Sequence, residues 1–458
     1  MSTNILGHAA PPLHAQKYEL HSGNLSAWTK MCIALVLICI ALAVAVRAIN
    51  VARSGANTID IGAVKLAGDL FRNLTSDTAV PRTTQHKRMP GLALLLTAAA
   101  VVDTRVRQGL ACGITDRTHC RPELFASVLA AQVMAAVAAL GMLLIIAWRL
   151  SGSWEIALIT LVLTFVATRP GEAAGQVNAM IWYQFLLTLS LFLAVLAQRR
   201  SAALALGAGM ALGASALFEP TTAVIIPVAA VLFLLSGSDR SERRSVQMLC
   251  AASFMSGALL SLAVFFAAEN LSYDTNAVLG HLARHAAERV AFHSMDATTW
   301  VQSLIVPIPL VGDWLRELLG PAATKFGMSR PGSIFLEGPA KIYPDSVANS
   351  ASAFGSVMWI VREKILGEIG AYTASAPSLI CRGLWAGGGV IALFGVFHVR
   401  RMLAYARADQ RITDHLVVLV PIAALFVVNS LLTSNGYWLN PLLPFVYSYA
   451  IAYVASGL

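Results

Sequence analysis

Ten stretches of the chain are apolar almost without a break, near residues 31–51, 124–148, 155–168, 178–197, 202–218, 221–236, 246–268, 383–399, 415–432 and 441–457. Several reach the ~20 residues that an α-helix needs to cross a ~30 Å hydrocarbon core. The pattern predicts an all-α polytopic membrane protein of about ten transmembrane helices. A further run, PGLALLLTAAAVV at 90–102, is too short for an easy span. The first thirty residues are polar and contain no apolar h-region, so no cleavable signal peptide is expected.

Other stretches are patterned on one face. IDIGAVKLAGDLFRNL (59–74) lines up Ile59, Ala63, Leu66, Ala67, Leu70 and Phe71 at helical spacing, with Asp60, Lys65, Asp69 and Arg72 as polar partners. This predicts an amphipathic helix suited to the interface plane. DWLRELL (313–319) and SVMWIVREKILGEI (356–369) read the same way, whereas 329–346, with Pro331, Gly332, Gly338, Pro339 and Pro344, reads as loop. Neither a soluble globular domain nor an internal repeat is evident.

Composition agrees with the patterning. Hydrophobic residues make up 57% of the 458 and charged residues 12%, about half the ~25% of soluble domains. The net charge of +9 is unevenly placed. Arg149, Arg199, Arg200, Arg240, Arg243, Arg244, Arg400, Arg401, Arg407 and Arg411 fall in alternate connections, while 169–177, 218–222 and 433–440 carry Arg169 as their one basic residue. The positive-inside rule assigns the Arg-rich loops to the cytoplasm. Both termini are then cytoplasmic, provided that 90–102 does not cross. The charge thus reads as orientation rather than as nucleic-acid binding. The expected organisation is a cytoplasmic tail (1–30), a first span (31–51), an external segment with juxtamembrane helices (52–123), spans two to seven (124–268), a second external segment (269–382) and C-terminal spans (383–458). The Ala- and Gly-rich composition points to a bacterial inner membrane.

Residues able to do chemistry gather in the external segments. Lys87 and Arg88 precede Pro90-Gly91 and a leucine run; they read either as interfacial anchors for lipid headgroups or as a phosphate site. Asp60 opens the amphipathic helix, as a first-turn acid or as a base. Asp69 reads as solvated on a charged face, with substrate contact as the second reading. Arg169 and Glu172, in TRPGEAAG, read as a solvated turn or a substrate contact; Glu219, in ALFEPTT, reads as a turn residue at a helix end. Cys112 and Cys120 bracket CGITDRTHC, where a disulfide and two thiols are equally open. Cys32, Cys39 and Cys250 fall in spans and read as packing residues. His281 and His285 share a helical face, but Leu282 breaks the HExxH pattern and no CxxC is present, so no metal site is assigned and a divalent cofactor is left open.

The order of these features resembles the GT-C superfamily of integral membrane glycosyltransferases, in particular the protein O-mannosyltransferase and lipid A aminoarabinose transferase branch. The resemblance runs from Arg47 at the end of span one, through Asp60 and Ala67-Gly68-Asp69, to Arg88-Met89-Pro90-Gly91-Leu92, then GAGMALGASALFEPTTAVIIP (207–227) and NGYWLNPLLPF (435–445). It implies a sugar donor on a polyprenyl phosphate and a lipid, glycan or protein acceptor approached from outside. It also implies an acidic residue near the reaction centre at the position of Asp60. Arg88 and Lys87 would hold the donor phosphate, and Glu219, where relatives often carry arginine, and Tyr437 are further candidate substrate contacts. Ile61 stands where relatives often carry a second acid, Val64 where they carry a tyrosine, and Gly436-Tyr437 in place of Arg-Tyr. Two other readings stay in play: a flippase or transporter for a lipid-linked sugar, and a non-catalytic subunit of an envelope glycan machine.

Overall fold

The computed structural model describes residues 27–54, 59–75, 89–115, 121–197, 201–235, 241–269, 412–432 and 445–451. Among these the regular structure is helical: α1 (Ala27–Ser54), α2 (Ile61–Thr75), α3 (Pro90–Val102), α4 (Thr104–Thr115), α5 (Ala126–Ser151), α6 (Trp154–Thr168), α7 (Pro170–Ala174), α8 (Met180–Ala197), α9 (Ala202–Ala216), α10 (Ile225–Leu235), α11 (Ser241–Glu269) and α12 (Ile412–Leu432). Short 3-10 turns at Pro122–Phe125 and Pro220–Val224 precede α5 and α10. The expected eighth span (383–399), the helices at 313–319 and 356–369, and His281 and His285 lie outside the described residues.

Among the described residues, four helical stretches are long and apolar enough to cross a membrane: Lys30–Ser54, Pro122–Ser151, Met180–Ala197 and Ser245–Val264. Their outward faces are apolar too. On α1, Met31, Leu35, Ile38, Leu42, Val46 and Ile49 follow one another at helical spacing and are exposed, whereas Ile40, Val44 and Ala48 on the other side are buried. A helix that is apolar on both faces belongs against protein on one side and hydrocarbon on the other. The chain is an integral membrane protein. Cys32 and Cys39 are on exposed positions of α1 rather than packed, while Cys250 is buried in α11.

The runs at 155–168, 202–218 and 221–236 form shorter helices than a full span. The last does not begin at 221, because Glu219 and Pro220 open a 3-10 turn before α10 starts at Ile225. α3 has 13 residues, about 20 Å of helix, well short of the hydrocarbon thickness. Asp103 ends it, capping α4 by accepting from the Arg105 amide at 2.8 Å, and takes a second bond from Ser127 Oγ at 2.6 Å. Those bonds hold the Asp103 carboxyl below its usual range.

Among the described residues, packing is organised around two apolar clusters. One joins α1, α5, α6, α7 and α8; the larger joins α2, α3, α4, α5, α8, α9, α10, α11 and α12. α9 lies parallel to and very close against α11. A Cβ at Gly209 would land on the Phe254 carbonyl, and one at Gly213 would approach the Ala258 oxygen to 2.5 Å. The Gly-rich stretch 207–213 is therefore a helix-contact face of the small-xxx-small kind.

α2 does not lie free on a surface. Its predicted apolar face is buried against α3 and α4, with Leu66 and Leu70 fully enclosed; each such leucine contributes on the order of 1.5–3 kcal/mol. Thr97 of α3 donates to the Ala67 carbonyl at 3.2 Å, and the Arg107 guanidinium stacks over Phe71.

Candidate functional site

Short connections make α5/α6 and α8/α9 neighbouring hairpins. The end of α1, the start of α2, the 169–179 connection and the turn after α9 consequently gather at one end of the bundle. The candidate residues Asp60, Arg169, Glu172 and Glu219 all belong to that end.

Asp60 is half-buried and immediately precedes α2. Its Oδ1 accepts from the Ala63 amide at 3.2 Å and its carbonyl from the Val64 amide at 3.0 Å, so it caps the helix. Its own amide donates to the Val177 carbonyl at 3.0 Å, and Ile59 forms a parallel bridge with Val177. That contact ties the chain just ahead of α2 to the α7–α8 connection. The connection is held in turn from α5: Gln132 Nε2 donates to the carbonyls of Gln176 (3.0 Å) and Asn178 (3.3 Å). Asn178 closes the loop, donating to Gln176 Oε1 at 3.1 Å and accepting from the Met180 amide at 3.1 Å.

Glu172 is not simply solvated. α7 packs against the end of α1, and Arg47 Nη2 reaches Glu172 Oε1 at 2.7 Å. Arg169 Nη1 is 3.9 Å from the same oxygen. Arg169 joins α6 to α7 with φ 44°, a left-handed conformation that costs a non-glycine residue on the order of 1 kcal/mol. Such strain persists where the surrounding packing dictates the turn.

The stretch that follows Lys87 and Arg88 docks on the turn that carries Glu219. Pro90 occupies the first turn of α3, where a missing N–H has no consequence. Gly91 donates to the Leu217 carbonyl at 2.9 Å, and a Cβ there would meet that oxygen and Phe218 at 2.8 Å. Gly91 is thus required for the approach. Two residues beyond Leu217, Glu219 is 5% exposed. Its Oε1 accepts from Thr221 Oγ1 at 2.9 Å and from the Thr221 amide at 3.4 Å. Burial pushes the carboxyl up to about 7 against the pull of those two bonds. Thr222 beside it is fully buried, and its hydroxyl has no partner among the described residues.

Asp69 departs from the expectation of a solvated side chain. It is 4% exposed and ion-paired with Arg72 one turn on, which neutralises it where α2 packs down. Lys87, Arg88, Tyr437 and the Cys112–Cys120 pairing lie outside the described residues. Among the described residues, no three His, Cys, Asp or Glu side chains come together as metal ligands. Sequence reasoning missed Gln132, Asn178 and the Arg47–Glu172 pair. A glutamine inside an apolar span was the one available signal, since polar groups at membrane depth are costly.

No protein-family model and no curated protein matches the chain. Two solved structures are similar to it. One is the archaeal oligosaccharyltransferase AglB from Archaeoglobus fulgidus in complex with an inhibitory peptide and a dolichol-phosphate, at 15% identity and TM-score 0.47. The other is the Archaeoglobus fulgidus oligosaccharyltransferase in its apo form, at 13% identity and TM-score 0.48. Each match covers 94% of this chain and 51% of the other, so this chain spans about half the length of those proteins.

Proposed function

We propose that the protein is a GT-C-type membrane glycosyltransferase with about ten spans and a catalytic face on the external side of the membrane. It moves a sugar from a polyprenyl-phosphate donor to an acceptor hydroxyl. The observation that carries this reading is the anchoring of Asp60. It is fixed at the head of a buried helix and hydrogen-bonded to the 176–178 segment, at the same bundle end where α3 docks straight after Lys87-Arg88.

In this reaction Asp60 takes the proton of the acceptor hydroxyl as its oxygen attacks the anomeric carbon. The bond from that carbon to the phosphate oxygen breaks, and the polyprenyl phosphate leaves with the electron pair. Lys87 and Arg88 hold the negative charge that develops there. The donor phosphate lies at headgroup depth while its tail stays in lipid, so cations at the mouth of an apolar helix suit it. Glu219, Arg169, Glu172, Asp69 and Tyr437 rank behind as candidate substrate contacts. Glu172 and Asp69 are engaged by arginines, which gives both a structural role.

Asp60 also has a structural role as a helix cap, which favours a second reading: a non-catalytic subunit of a glycan assembly machine. A third reading is transport. All three separate in proteoliposomes that hold the full chain, a polyprenyl-phosphate-linked hexose and a cell-envelope extract as the source of acceptor hydroxyls. The enzyme reading expects release of free polyprenyl phosphate that depends on the protein. Movement of the intact lipid-linked sugar across the bilayer establishes transport instead, and the absence of both release and movement supports the assembly role.

A further inference from the structure

We propose that Gln132 is a positioning residue for Asp60, acting through the segment 176–178. The proposal rests on the reading of Asp60 as the base.

The carbonyls of Gln176 and Asn178 both face Gln132, and the carbonyl of Val177 between them faces Asp60. The segment is therefore gripped from both sides, by α5 on one edge and by the start of α2 on the other. Both partners of the Gln132 amide are carbonyl acceptors, so they require its NH2 group and fix its orientation. Gln132 is fully buried, and its Oε1 has no hydrogen-bond partner among the described residues. A buried amide with its oxygen unsatisfied is costly. Its placement makes sense if the two donated bonds hold something whose position matters, and the next group along is the Asp60 backbone. Misplacing a reacting group by about 1 Å costs on the order of 100-fold in rate.

Two variants of the full-length protein in lipid nanodiscs test this. Gln132→Met keeps the volume and loses both donors. Gln132→Glu keeps the shape and can donate when protonated. Amide hydrogen exchange reads the grip without reference to activity. In Q132M, exchange across 59–64 and 176–180 is expected to rise about tenfold, the factor that corresponds to ~1.4 kcal/mol of lost bonding, with α8 beyond its first turn unchanged. Transfer from a polyprenyl-phosphate-linked hexose reads the consequence: kcat falls about tenfold or more while KM for the donor stays within about twofold. Q132E recovers part of the loss at pH 6 and forfeits it as pH rises and its carboxyl ionises.

Unchanged exchange across 59–64 overturns the grip. Raised exchange with unchanged kcat, or a loss in KM alone, overturns the positioning role. Should Asp60→Asn prove fully active, the base reading fails and the positioning role falls with it; exchange in Q132M still reports the grip by itself, so the two failures are distinguishable.

Discussion

Replacing Glu219 by glutamine removes a charge from a buried turn and keeps the oxygen that caps it. The carboxyl sits at the head of the Pro220–Val224 turn, bonded to Thr221, and burial raises its pKa from 4.5 to about 7. A value raised in the folded state means that the native protein prefers the protonated form. The stability tied to that form is fully present below about pH 4.5 and is lost as pH rises through about 7. Each tenfold change in a protonation equilibrium is worth ~1.4 kcal/mol, so the complete loss amounts to about 3 kcal/mol. Glu219→Gln cannot ionise, so it should be more stable than the wild type by up to about 3 kcal/mol at pH 8 and by about 1 kcal/mol or less at pH 5. Thermal unfolding of both proteins in one detergent, at fixed ionic strength from pH 5 to 8, reads the difference as a Tm gap of several degrees that widens with pH. A variant less stable than the wild type at pH 8 refutes the reasoning, because a cation would then be holding the carboxylate ionised.

Gly209→Leu forces a side chain into the Phe254 carbonyl of α11. It should cost at least ~1–3 kcal/mol, seen as a lowered Tm or a loss of monodisperse protein in size-exclusion chromatography; a neutral outcome contradicts the close α9–α11 contact. Arg47→Ala breaks the ion pair to Glu172, but the Arg47 side chain is 59% exposed and the Glu172 side chain 35%. The change should cost less than ~1 kcal/mol and shrink further with added salt; a larger, salt-independent loss would mean that the pair anchors α7 more firmly than its exposure implies.

The helices are legible in the sequence where one physical signal dominates. Run length marks α1, α5, α8 and α11, and the 3.6-residue period of Ala63, Leu66, Ala67 and Leu70 marks the buried face of α2. Pro90 announces the start of α3, and its shortness is visible in the chain. Local polarity misleads at Asp69. A charged residue on a charged face reads as solvated, yet an arginine one turn away lets it be buried. It misleads again at TRPGEAAG, which reads as a solvated turn, where α7 packs on α1. The grip on Asp60 is out of reach for another reason. Ile59 and Val177 are far apart in sequence, and their contact is made by backbone groups that every residue carries. No residue type announces such a bridge. Glu219 stands out from its turn, but that turn packs against α12, which comes from the other end of the chain, and no local pattern announces the contact.

Whether Asp60 is a base as well as a cap is decided by a single pair of substitutions. Asparagine caps a helix about as well as aspartate, whereas alanine loses about 1 kcal/mol, and neither can accept the acceptor's proton. The decisive measurement is release of polyprenyl phosphate from a polyprenyl-phosphate-linked hexose, with a cell-envelope extract supplying acceptor hydroxyls, by wild type, Asp60→Asn and Asp60→Ala, each with its Tm. The expected result is transfer by the wild type alone, with Asp60→Asn folded at wild-type Tm and inactive. An Asp60→Asn protein that transfers sugar at the wild-type rate contradicts the base reading and leaves Asp60 a helix cap.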